Sequence, residues 1–175
     1  MKLLNFPEER QTYTYDCGAK AVQCVLNYYW IDLRENIVMK IAGTSKDGTP
    51  IAWIERVAHK NWLRTTIEHM NITKIREYID QKIPVIVVLQ ARSDKNHIDR
   101  KNDWADWHYV VVIWYDKTKL YFEDPAAIYR TYLFNQEFKD RRHDKDINDR
   151  SYVHYWIAIY GEAPKYSLKK RIHMD

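Results

Sequence analysis

Gln11–Tyr28, QTYTYDCGAKAVQCVLNY, runs from a glutamine through a short approach to an Asp-Cys-Gly turn and then into a helix that begins on the cysteine. Val22, Val25, Leu26 and Tyr29 recur at helical spacing, so the segment after Gly18 buries one face. Cys17 then stands at a helix N-terminus. Unpaired backbone N–H groups and the positive end of the helix dipole favour a thiolate there. Gly18 leaves room beside the sulfur for another backbone to pass. Cys24, in the middle of the same helix, reads as a small buried hydrophobe.

The rest of the chain must supply a base and an oxyanion donor if Cys17 is to act as a nucleophile. At 175 residues the chain suits one domain, 1–175, with a basic tail at 165–175. Aromatic residues make up 14% of it, which fits a packed interior and not a disordered chain. The net charge of +4 is modest and comes partly from the tail. No helix-turn-helix, zinc-finger or aromatic RNA-binding signature accompanies it, so nucleic acid is not an expected partner. The two cysteines stand about 10 Å apart along one helix, too far for a disulfide. Reduced thiols, no signal peptide and no apolar run of membrane-spanning length together point to a soluble, cytoplasmic protein. The histidines are scattered without HxxxH or Cys-x-x-Cys pairing, so neither a metal nor another cofactor is expected.

Taken in order, residues 1–10 read as a short strand and a turn at Pro7. The Cys17 helix runs to about Trp30. Asp32-Leu-Arg-Glu35 has the pattern of a capping box, opening a helix with Leu33, Ile37, Val38 and Ile41 inward and a stop near Gly43. Thr49-Pro50 opens a third helix with Ile51, Ile54, Val57 and Ala58 buried, and Leu63–Ile67 is a short strand. Asn71 or Thr73 opens a fourth helix. Pro84–Leu89 is a continuous apolar run, hence a central strand. Residues 91–107 are a long charged loop. His108–Tyr115 and Leu120–Glu123 form a hairpin that delivers Asp124-Pro125 at its end. Phe134–Asp149 reads as a surface helix, and Tyr152–Tyr160 closes the sheet. Helices first and antiparallel strands last is an α+β order.

His108 opens an apolar strand beside the long loop, a rigid place for a base. Asp124 ends the partner strand, where it can orient the imidazole by accepting its ring N–H. Each feature alone has an ordinary structural reading: a surface histidine, a turn-starting Asp-Pro, a core cysteine.

The ordered set resembles the papain-like bacteriocin-processing cysteine peptidases, the peptidase domains of double-glycine leader exporters and their stand-alone relatives. The matching pieces are Gln11, Asp16-Cys17-Gly18, Gly48-Thr49, Ile83-Pro84-Val85, His108-Tyr109-Val110-Val111 and Asp124-Pro125-Ala126. The resemblance implies a papain-like fold with Cys17 as nucleophile, His108 as general base and then acid, and Asp124 as orienter. Gln11 and the Cys17 N–H would serve the oxyanion. It also implies a peptide or protein substrate, and leaves open a partner exporter, the oligomeric state and the choice between hydrolysis and acyl transfer. Trp104, Trp107 and Tyr109 are candidate cleft walls, with core packing as the alternative. Two rival functions stand beside the peptidase: a catalytically idle papain-like module that binds peptide, and a partner- or nucleic-acid-binding protein using the basic tail.

Overall fold

The computed structural model describes residues 4–91, 99–102, 104–145, 151–153 and 155–162. Much of the 91–107 loop and the whole basic tail therefore lie outside the described residues. Among the described residues five helices and eight strands follow one another: α1 Cys17–Tyr28, α2 Glu35–Ile41, α3 Ile51–Lys60, β1 Arg64–His69, α4 Ile72–Asp80, β2 Val85–Gln90, β3 Trp107–Tyr115, β4 Lys119–Glu123, β5 Thr131–Phe134, α5 Asn135–Arg141, β6 His143–Lys145, β7 Ser151–Val153 and β8 Tyr155–Tyr160. Helices packed on an antiparallel sheet give the α+β architecture.

The main sheet has six strands in the order β1-β8-β2-β3-β4-β5, and β6-β7 form a separate pair. Its centre is β2, buried at every position and hydrogen-bonded to β3 on one side and β8 on the other. That is why Val85–Leu89 carries no polar alternation. The two faces of the sheet are covered differently. On β4, Phe122 stacks on Phe138 of α5, while its neighbour Glu123 turns to the opposite face and accepts Glu9 N–H at 3.3 Å. Helix α1 packs on β3 and against α2 and α3. Every residue from Cys17 to Leu26 is buried, well beyond the single face its periodicity suggests.

Several boundaries differ from the sequence expectation. Residues 4–10 form no strand. They cross the sheet as an extended strap, with Leu4 and Phe6 buried and Leu4 N–H bonded to Ile113 O at 3.2 Å. The capping box at Asp32 is absent: α2 begins at Glu35 after Arg34, and Ile37 stays 42% exposed. Glu35 is drawn away by partners on other segments. Thr49 does not cap α3, because its hydroxyl pairs with that of Thr44 at 2.8 Å. Asn71 does cap α4, its side chain accepting Lys74 N–H at 2.9 Å.

The Phe134–Asp149 surface helix is corrected most. Phe134 ends an edge strand, α5 spans only seven residues, and its Phe138 is fully buried. The 152–160 strand divides into β7 and β8, which belong to different sheets. Tyr132 and Phe134 on the outer strand are exposed, and the Lys119 ammonium lies 4.3 Å and 5.1 Å from their ring centroids.

Candidate active site

Three parts of the fold converge at one end of the sheet: the start of α1, the start of β3 and the end of β4. Alternation along β3 puts His108 on the same face as Val110 and Val112, and Val112 pairs with Phe122. Asp124, two residues beyond Phe122, therefore shares the face of His108. Their side chains meet at 2.7 Å, with His108 Nε2–H donating to Asp124 Oδ1. Only 5% of each residue is exposed. Asp124 is itself fixed: Ala126 N–H donates to Oδ1 at 3.0 Å and the Thr131 hydroxyl to Oδ2 at 3.2 Å.

The ring has two nitrogens. With Nε2 taken by Asp124, Nδ1 is the ring nitrogen left for the Cys17 side chain, which acts on the imidazole. Burial works against a charged imidazole here. The hydrogen bonds to Asp124 and Cys17, with the charges behind them, outweigh burial and raise the His108 pKa to about 9. The arrangement thus favours a charged imidazole beside the Asp124 carboxylate. A cavity of about 230 Å³ opens beside the His108–Asp124 pair, walled by Val110, Phe122, Leu133 and Arg141.

Cys17 is the first residue of α1, and no side chain caps that helix. Asp16 occupies the capping position, but its Oδ2 turns back to accept Thr12 N–H at 3.1 Å and Tyr13 N–H at 3.2 Å. The opening N–H groups of α1 are left for another acceptor. Gly18 has a different role from the one its sequence context suggests. A Cβ there would lie 2.7 Å from Thr49 Cβ and 2.9 Å from the Tyr109 ring. The space beside it is filled by the protein's own residues, and lets α1 dock on β3.

Gln11 is carried to the same end of the sheet by the strap. Its backbone N–H donates to Pro125 O at 3.0 Å, and its side-chain Nε2 donates to Tyr13 O at 2.7 Å. One amide hydrogen of Gln11 remains beyond that bond. No hydrogen bond joins Gln11 to Cys17 among the described residues, so Cys17, His108 and Asp124 are in contact while Gln11 stands on the adjoining strap.

Of the candidate cleft walls, Tyr109 is core. It is 2% exposed, with its hydroxyl bonded to Thr49 O at 2.9 Å. The Trp107 ring covers Gly48, where a Cβ would fall 1.8 Å from it. Trp104 lies against the His143 ring, centroids 4.4 Å apart. Among the described residues no cluster of side chains suited to a metal ion occurs, and no helix is long and apolar enough to cross a membrane.

The sequence reading missed a buried polar layer beneath the strap. Glu123, 1% exposed, takes Arg10 Nη1 at 3.1 Å and lies 3.7 Å from Arg130 Nε. Lys20, only 5% exposed, reaches Glu35 at 3.1 Å and Glu9 at 3.6 Å. A lysine within the most buried stretch of α1 was the available signal, since such a charge requires a carboxylate partner.

The family model of the peptidase C39 family matches residues 5–141. Among solved structures, the chain is similar to a C39-like peptidase from Bacillus anthracis, with 14% identity, a TM-score of 0.71 and coverage of 93% of this chain and 98% of that one. It is similar to the peptidase domain of Streptococcus ComA, a bi-functional ABC transporter involved in quorum sensing, with 21% identity, a TM-score of 0.66 and coverage of 90% and 97%. A double-glycine-motif protease from an AMS/PCAT transporter, solved with its leader peptide, aligns at 19% identity, a TM-score of 0.65 and coverage of 90% and 92%. These likenesses bear on the fold. Among curated proteins, none matches the sequence.

Proposed function

The chain belongs to the peptidase C39 family, and from that membership we propose that it is a cysteine peptidase that cleaves a peptide bond with Cys17, His108 and Asp124. The observation that carries the reading is the buried relay itself. His108 Nε2 sits 2.7 Å from Asp124 Oδ1, and the Cys17 side chain is near enough to the same ring to raise its pKa. A binding module would have no use for that relay.

The Cys17 thiolate attacks the scissile carbonyl carbon, and the C=O electron pair moves to oxygen. That oxyanion is met by the Cys17 N–H at the uncapped start of α1 and by the free amide hydrogen of Gln11. His108 then gives its Nδ1 proton to the departing amine as the C–N bond breaks, leaving a thioester. Water attacks the thioester, its proton returns to His108, and the carboxylic acid leaves with Cys17 freed. Asp124 keeps the imidazole in the required orientation and balances its charge throughout. The neighbour solved as a double-glycine-motif protease from a transporter suggests a double-glycine leader as substrate, and an exporter as the protein that supplies it. An acyl transferase would use the same first half, with an amine in place of water.

The test is iodoacetamide alkylation across pH, with the adduct located by mass spectrometry, followed by incubation with double-glycine leader peptides. Rapid labelling of Cys17 at pH 6 that disappears in His108→Ala is the expected result, as is cleavage that Cys17→Ala abolishes. Labelling of Cys17 only near pH 8.5, the range of an ordinary thiol, would sink the proposal and favour a peptide-binding module.

A further inference from the structure

The residue before the proposed nucleophile is held in an unusual way. Asp16 is completely buried. One of its oxygens has two backbone donors, Thr12 N–H and Tyr13 N–H. The other, Oδ1, is buried with no donor, and the same is true of Glu35 Oε1. Glu35 Oε2 is satisfied, by the Thr12 hydroxyl at 2.7 Å and Lys20 Nζ at 3.1 Å. Both carboxylates close on Thr12, Asp16 on its backbone N–H and Glu35 on its hydroxyl. Two ionised carboxylates only accept, so a bond between the two orphaned oxygens requires a proton on one of them. A single proton answers both orphaned oxygens at once.

The surrounding charges agree. Lys20, on α1, is the cation that contacts Glu35, and it also contacts Glu9 of the strap at 3.6 Å. Asn27 adds a neutral donor to Glu9. That one ammonium already serves two carboxylates, and Asp16 beside them adds a third negative charge that a proton removes. Glu35, with the ammonium and a hydroxyl on it, is the better carboxylate, and Asp16 the better acid.

We propose that Asp16 and Glu35 share one proton, carried on Asp16 Oδ1, and that this neutral acid positions the Gln11 strap and spares Cys17 an adjacent negative charge. The inference rests on the reading of Cys17 as nucleophile. The positioning path is continuous. Glu35 accepts from Asp16, Asp16 holds Tyr13 N–H, and Tyr13 O holds the side-chain amide of Gln11 at 2.7 Å. Burial raises the Asp16 carboxyl above its ordinary range, helped by Glu35 and opposed by the two backbone N–H groups. For Glu35 burial pushes the same way, but the hydrogen bonds from Asp16, Thr12 and Lys20 prevail and hold it low. Had Asp16 been ionised, its charge would stand one residue from a thiolate and raise the cost of forming it.

Two near-isosteric variants separate this from a plain structural role. In Asp16→Asn the amide imitates the protonated acid: its nitrogen donates to Glu35 and its oxygen keeps Thr12 and Tyr13. Alkylation of Cys17 at pH 6 should stay within about threefold of wild type. In Glu35→Gln the new amide hydrogen satisfies Asp16 Oδ1 without a shared proton, so Asp16 ionises. Alkylation should fall by about tenfold, a loss of roughly one pK unit, and Asp16→Asn added to Glu35→Gln should restore it. The reverse order, with Asp16→Asn the more damaging, would overturn the proposal.

Carbon-13 NMR of the Asp16 carboxyl reads the proton directly: protonated at pH 7 in wild type, ionised in Glu35→Gln. An ionised Asp16 in the wild type would end the idea outright. If wild-type Cys17 proves unreactive at low pH, the peptidase reading fails by itself, and the carboxyl resonance still decides whether the proton is shared.

Discussion

An ion pair is strongest where water cannot compete for its members, and His108, Asp124 and Cys17 are each at most 5% exposed. Asp124→Asn keeps the size of the side chain but removes the charge opposite the imidazolium. Turnover should fall by two to four orders of magnitude, about the range seen when a triad carboxylate is made an amide. Slow alkylation of Cys17 should persist, because the thiol itself is untouched. Full activity in that variant would move the orienting role elsewhere. The same helix supplies a built-in control. Cys24 is completely buried, and burial, then Glu9 and Glu123, push its thiol far above its usual range. In the native protein alkylation should stop at one adduct per chain, with Cys24 reacting only after unfolding; a native Cys24 adduct would contradict this packing. Cys17, His108 and Asp124 were legible in the sequence because each marks the end of a strongly patterned segment. The proton proposed for Asp16 and Glu35 was not, since it would join the starts of two helices in a way no sequence pattern displays, and Glu35 had a local alternative as a capping residue.

Among the elements, those whose apolar pattern is continuous or sharply periodic, α1, α4, β2, β3 and β4, formed where their residues indicated. The misread ones owe their conformation to distant partners. Strand β5 is four residues, half-exposed at alternate positions, and exists because β4 offers an edge: its register pairs Lys119 with Phe134 and Phe122 with Thr131. Taken alone, TYLF followed by NQEFKDR is as good a helix as a strand. Helix α1 docks through Gly18, and this contact is testable. Gly18→Ala should force Thr49 and Tyr109 apart, costing about 1–3 kcal/mol and lowering the melting temperature by several degrees. Calorimetry that shows an unchanged or raised midpoint would mean the Thr49–Tyr109 contact yields freely.

For the whole molecule, the buried imidazolium ties stability to pH. His108 titrates near 6.5 in an unfolded chain and at about 9 in the fold, so the folded state holds its proton more tightly. The resulting stability is complete below about pH 6.5 and is lost as pH rises through about 9. Urea midpoints measured between pH 6 and pH 10 should therefore fall across that interval, and the fall should vanish in His108→Ala. A midpoint that rises with pH in the wild type would contradict a proton held more tightly on His108 in the fold.

The strap has one more consequence. It precedes α1, yet Gln11 N–H binds Pro125 O and Glu9 N–H binds Glu123. These residues thus find those partners only after β4 has been made and paired. A chain released in fragments, or still leaving the ribosome, holds a cysteine without a base and an amide without a target. The proposed site is in that sense a property of completion: its parts meet only once the hairpin has closed.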